Sequence, residues 1–532
     1  MTWTRRLLLA PSRSRGRVVM LFLAVLAGLA TAKPPVSPYE TDAGFVPANA
    51  IDDIMLKAWI GEGITPAHLC SDDVFVRRVH LDLIGALPTA AEVLRFRKDE
   101  RPGKRAAKVE ALLKRKEFAD YWALKWCDVL RVKAEFPINL WPNAVQAYHR
   151  WVRDAIKTNK PYDQFARELL TSSGSNFRVP PVNFYRAMQG HEPATIAQCV
   201  ALTFMGARLE SWPEKEREGL EALFSRVAFK GTAEWKEEIV HLDPAPEGPL
   251  RAMFPDGRPV SVPAGTDPRR VFADWLIQGD NPWFARAATN RLWFWLLGRG
   301  VVHEADDIRD DNPPVVPELL AYLEGEMVKR KYDLRHVIRL IVNSRTYQQS
   351  SIPQGDPERS EAMFACYPVR RLDAEVLVDA LAKIFGPGES YSSPIPEPFT
   401  FIPENHRTVT LADGSISSQF LEMFGRPARD TGMLSERSNQ PTDGQRMHML
   451  NSSHVQTKIE RGWGLKTIVW GAKKRPGAML HSLYLTVLSR PPTQAEIATA
   501  RSYTTGGRVK KAQGIHDLAW ALINTKEFLY RH

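Results

Sequence analysis

Three stretches of the chain carry side chains able to do chemistry. The first is Glu304-Ala305-Asp306-Asp307-Ile308-Arg309-Asp310-Asp311-Asn312, whose crowded carboxylates supply the oxygen ligands that a hard cation such as Ca²⁺ requires. The spacing does not match an EF-hand loop, so an exposed acidic turn, paired with arginines and running into Pro313-Pro314, is the favoured reading. The second is Phe424-Gly425-Arg426-Pro427-Ala428-Arg429-Asp430, followed by Ser435-Glu436-Arg437-Ser438. Guanidinium forks suit planar anions, so a loop bearing Arg426, Arg429, Glu436 and Arg437 has the groups for a carboxylate or sugar-acid pocket. An internal ion-pair lattice that pins the loop is the plainer account and is preferred. The third is aromatic: Trp275, Trp283, Phe284, Trp293, Phe294 and Trp295. Trp293 and Trp295 fall on different faces of a helix, which leaves one of them free to stack on a sugar ring if it faces solvent; helix-packing core is the preferred role. The candidate binding set is therefore Arg426, Arg429, Glu436, Arg437, Asp306 and Asp307. No catalytic residue, metal ligand or cofactor is assigned.

Familiar catalytic signatures are missing. There is no G-x-S-x-G elbow, no phosphate loop and no G-x-G-x-x-G, and neither His191-Glu192 nor His303-Glu304 is followed by the histidine a zinc-protease helix needs. The four cysteines, Cys70, Cys127, Cys199 and Cys366, form neither C-x-x-C nor C-x-x-C-H, so a thiolate zinc site or covalently attached haem is not expected. In an oxidising compartment they would allow two disulfides in three connectivities, among which spacing does not choose.

These groups have to be positioned by a soluble chain of 532 residues, 44% of them hydrophobic, long enough for two to four compact units. Arg5, Arg6, Arg13, Arg15 and Arg17 precede an apolar run from Val18 to Ala30 and the small-residue site Ala30-Thr31-Ala32, the pattern of a cleaved signal peptide over residues 1–32. An exported protein, periplasmic or in the cell envelope or extracellular, is expected. Losing those arginines takes the net charge from +10 to +5, too mild to suggest nucleic acid. Membrane contact is expected only through an uncleaved signal.

The helical period dominates the rest, with apolar residues three and four apart in Ile51 to Ile60, Val74 to Ile84 and Val109 to Leu130. The expected class is mainly α: two helical domains joined by a small linker containing short strands. After a Pro-rich leader (33–47), the first domain spans 48–236, the linker 237–266 and the second domain 267–532, with a long Pro- and Ser-rich loop at 386–418. In the linker, Ile239 to Leu242 and Arg258 to Val262 flank Pro255-Asp256-Gly257 and read as strands.

The two domains also read as related halves. Arg78 to Glu92 resembles Ser482 to Glu496, each containing Pro-Thr with a Glu three residues after the Thr, a capping box. Downstream of each, an apolar helix is expected to end in Lys-Glu-Phe, at 116–118 and 526–528. A second pairing matches Trp151 to Ser173 with Tyr322 to Ser344.

Asp267-Pro268-Arg269-Arg270, Ala273-Asp274-Trp275-Leu276, Asn281 to Arg286, Asn290 to Trp293, Gly298 to Val302, Asn343-Ser344-Arg345-Thr346-Tyr347 and Phe424 to Arg437 resemble the planctomycete-type PSD domain of unknown function. Arg77 to Thr89 resembles the companion PSCyt domain that precedes it in large exported proteins. The resemblance implies haem or metal ligands in a C-x-x-C-H-x-H-P stretch, but Glu210-Ser211-Trp212-Pro213-Glu214-Lys215-Glu216 stands there. Cysteines common near Met433 and Ser435, and the cytochrome c segment of many relatives, are also missing. The expected function is binding of an exported protein partner or a polysaccharide, without a redox cofactor. A glycan-acting hydrolase is the alternative and an electron-transfer role the third.

Overall fold

Most segments coil into helices because their apolar residues recur so as to give each one face to bury. The computed structural model describes residues 33–244, 247–472, 475–505 and 511–532; the signal segment read at 1–32 lies outside the described residues. At the centre runs the helix Asp72–Ile84, almost all of it buried, including Arg77, Arg78, His80 and Asp82. Ser71 starts it by accepting the Val74 N–H on its side chain, and Gly85 ends it in the left-handed region (φ +56°). Only glycine fits there, because the Tyr121 ring lies where a Cβ would be. The apolar run from Val109 to Leu130, read as one stretch, is two helices, Lys104–Leu113 and Lys116–Val129.

The repeated segments adopt the same local structure. In the first copy Gly85 turns the chain and the Thr89–Glu92 capping box opens the helix Ala90–Lys98. In the second, Ser489 takes the equivalent left-handed turn (φ +62°). Thr493 and Glu496 then cap the helix Gln494–Thr505 reciprocally, at 2.6 and 3.2 Å. Lys-Glu-Phe opens a helix in both copies rather than ending one, since its glutamate gains from the exposed N–H groups of a first turn. That glutamate reaches the capping-box glutamate through a shared arginine. Arg115 joins Glu92 (2.9 Å) to Glu117 (2.7 Å), and Arg490 joins Glu496 (2.7 Å) to Glu527 (2.6 Å).

The second repeated pair consists of two helical hairpins, Pro142–Lys157 with Tyr162–Thr171 and Pro317–Lys329 with Leu334–Asn343. They meet at their turns. The Tyr162 backbone amide donates to the Tyr332 carbonyl at 3.0 Å and the Asn159 side-chain Nδ2 to Asp333 at 2.9 Å.

Small antiparallel sheets occupy the junction. Glu238–Leu242 pairs with Val227–Gly231 on one side and Gly174–Ser175 on the other. Leu250–Met253 pairs with Pro259–Val262 across the Pro255-Asp256-Gly257 turn. Far along the chain, Arg370–Arg371 pairs with Tyr530–Arg531. All four cysteines are free, and Cys70, Cys127 and Cys366 are buried.

Candidate recognition site

The arginine loop folds inward. Asp128, near the end of the Lys116–Val129 helix, accepts Arg429 Nε at 2.9 Å and Arg437 Nη2 at 2.6 Å. Arg437 reaches on to Glu375 (2.6 Å), which also faces Arg426 at 3.5 Å. Arg429 is wholly enclosed and donates its remaining bonds to the Val132 and Ala412 carbonyls. The lattice continues through Asp373, which takes Lys125 (2.8 Å), Tyr121 (3.0 Å) and Arg531 (3.0 Å). Arg531 then meets Asp82 at 3.1 Å, beside Arg370 at 3.2 Å. Four carboxylates and six cations thus bridge the first half of the chain to the second.

Burial and charge act against each other in this lattice. Burial alone would raise the Asp373 and Glu375 carboxyls, but Arg531 and Lys125 around the first, and Arg437 and Arg426 around the second, hold both below their ordinary values. Burial pulls Lys125 down to about 8 against the attraction of Asp373. It also pulls Arg426 down to about 10, reinforced by neighbouring Arg429. Taking charges this deep out of water offsets most of what their attraction gains, and removing one partner leaves the other uncompensated.

The other members of the candidate set lie around the lattice. Glu436 folds back on its own loop and accepts the Thr431 N–H at 2.5 Å and its hydroxyl at 2.6 Å. Asp306 is buried, pairs with Arg291 at 2.9 Å and accepts the Leu434 N–H at 2.6 Å, so it holds the loop by its backbone. Asp307 is not drawn in. It pairs with Arg309 at 3.2 Å on its own turn, and Glu304 and Asp311 likewise find Arg208 and Arg309. Trp293 and Trp295 are both in the core, because their helix, Phe284–Leu297, is enclosed on nearly every side. Trp293 meets Phe364, and Trp295 meets Trp122 and Trp126. Neither is left for a sugar.

Exposed rings gather elsewhere. The segment that follows Asp128 is tied down by Lys133 to Asp430 (2.6 Å), the Ala134 amide to Asp413 (2.9 Å) and the Glu135 amide to Ser415 (2.9 Å). It then reaches Trp141, whose φ of +71° is rare for a bulky side chain. Trp141 meets Trp235 at 4.8 Å between ring centres and Phe399 at 6.1 Å, and Trp235 meets Phe399 at 5.4 Å. Lys236 Nζ lies 5.0 Å from the Trp141 ring. Trp235 and Phe399 remain 60% and 50% exposed, and Phe136, shortly before Trp141 in the chain, and Phe401, shortly after Phe399, are 78% and 67% exposed.

Residues 50–212 match the PSCyt2 family, described as a protein of unknown function (DUF1549), and residues 268–504 match PSD1, a protein of unknown function (DUF1553). The chain carries a PSCyt2 domain followed by a PSD1 domain. No curated protein and no solved structure matches it. The lattice therefore joins PSCyt2 residues (Asp82, Tyr121, Lys125, Asp128) to PSD1 residues (Arg370, Asp373, Glu375, Arg426, Arg429, Arg437). The aromatic cluster takes Trp141 from PSCyt2, Trp235 from between the domains and Phe399 from PSD1.

Sequence reasoning found the PSD1 arginines but not their partners. A signal was present: Asp128 interrupts the apolar run around Trp126 and Val129, and Asp373 and Glu375 interrupt that around Leu372 and Val376. Carboxylates so placed are buried only when paired. The aromatic cluster has no such signal, because its members come from three distant segments.

Proposed function

We propose that this is an exported binding protein that holds an envelope or extracellular polysaccharide on the Trp141–Trp235–Phe399 cluster, without a redox cofactor. The observation that carries the reading is the pair Trp235 and Phe399, two largely exposed rings from separate segments brought within 5.4 Å. Rings left in water at such cost in apolar area serve recognition, and flat faces suit the C–H faces of sugars. The left-handed backbone at Trp141 adds support, since strain of this kind gathers at ligand sites. Binding is favoured over hydrolysis because Asp128 and Glu375, the carboxylates beside the arginine loop, are occupied by guanidinium groups.

Affinity electrophoresis through gels containing soluble polysaccharides tests the proposal. At least one polymer is expected to retard the protein, and Trp235→Ala and Phe399→Ala to abolish most of that retardation with the thermal midpoint unchanged. Equal migration of wild type and variants on every polymer tried would defeat it, and release of reducing ends by the wild type would move the assignment to an enzyme.

A further inference from the structure

The helix Trp463–Gly471 presents an unexpected face to solvent. Trp463, Lys466, Thr467, Trp470 and Gly471 are exposed, and their spacing of three, four and seven puts them on one side. The two tryptophans at its ends are 62% and 73% exposed. The opposite side is fixed: Gly464 and Leu465 are buried, and a Cβ at Gly464 would strike the backbone of Ile384 and Phe385. The helix is therefore anchored on the helix Ala374–Phe385 with its tryptophans outward. Arg461 and Arg475 are exposed at its two ends, and the sequence has no Asp or Glu from 461 to 475. Among the described residues, no carboxylate pairs with Arg461, Lys466 or Arg475.

Indole rings favour the boundary between water and lipid, and unpaired cations favour anionic headgroups. We infer that this face docks on an anionic lipid bilayer, with Trp463 and Trp470 entering the headgroup layer while Arg461, Lys466 and Arg475 meet lipid phosphates. The contact is peripheral, since no helix among the described residues is long and apolar enough to cross a membrane.

Co-sedimentation of the purified chain with vesicles tests the inference, using phosphatidylcholine alone and phosphatidylcholine with one quarter phosphatidylglycerol. Binding to the anionic vesicles is expected to exceed that to neutral ones by about five-fold or more and to weaken in high salt. Trp470→Ala, and separately Arg461→Glu with Lys466→Glu, are each expected to remove most of it with the circular dichroism unchanged. Trp235→Ala should leave it intact, which separates this surface from the aromatic cluster. Equal binding to both vesicle types, or full binding by Trp470→Ala, would overturn the inference. So would soluble dextran sulfate binding that is lost in Trp470→Ala while vesicle binding is not, because the face would then belong to an acidic polymer.

Discussion

The two copies of the helix, turn and capping box reach the same arrangement with an arginine taken from different places. In the first, Arg115 arrives from beyond the capped helix, one residue before Lys116-Glu117-Phe118. In the second, Arg490 sits in the turn itself, right after the left-handed Ser489. The pairs formed are alike, but the surroundings are not: the Arg115 side chain is 34% exposed and that of Arg490 is 3% exposed. Two segments of similar sequence thus build the same charge cluster with a closing residue drawn from different places in the chain. What they share is the position of a guanidinium between two carboxylates.

The largest expected difference between the copies follows from burial. Arg490→Ala leaves Glu496 and Glu527 facing each other without a cation and is expected to cost about 3 kcal/mol, the low end for breaking a buried pair because Glu496 keeps some solvent. Arg115→Ala is expected to cost about 0–1 kcal/mol, as for exposed pairs. Denaturant unfolding of both variants measures the contrast, and equal losses would break the comparison.

The turns differ in the opposite sense. Gly85→Ser puts a Cβ into the Tyr121 ring at a positive φ and is expected to cost about 2 kcal/mol. Ser489→Gly relieves the same backbone strain and should stay within about 0.5 kcal/mol of wild type. Thermal midpoints of the two exchanges read this directly.

Acid sharpens the comparison with a smaller effect. Burial would raise the Glu496 carboxyl, but hydrogen bonds from Arg490 and Thr493 keep it low; Arg115 holds Glu117 at about 2. In the unfolded chain both carboxyls take up protons nearer their ordinary 4.5. Their contribution is therefore present above about pH 4.5 and is lost as pH falls through the folded values. Stability measured from pH 5 downward should fall less steeply in Arg490→Ala than in wild type, because Glu496 no longer resists protonation. An unchanged slope would show that the arginine does not set that carboxyl.

Local chemistry made the helices, both capping boxes and the strands around Pro255-Asp256-Gly257 legible, since each depends on residues a few positions apart. The seam between the domains was not. Arg437 finds Asp128 across 309 positions and Glu375 across 62, and no period links them. The arginine loop was read as an ion-pair lattice without its acids, and Trp293 and Trp295 show the same limit. Helical spacing placed them on different faces, but only the neighbours Phe364, Trp122 and Trp126 decide that both faces are interior. The exposed cluster of Trp141, Trp235 and Phe399 depends wholly on tertiary arrangement.

Arg531 pairs with a strand of the second domain while touching Asp82 and Tyr121 of the first, and 410 positions separate it from Tyr121. At about 5–20 residues per second a ribosome needs about 20–80 s to travel that distance. Throughout that interval the amino-terminal half lacks the guanidinium on which its interior closes. A nascent polypeptide of this architecture therefore cannot seal the seam between its domains until the residues around Arg531 have been made.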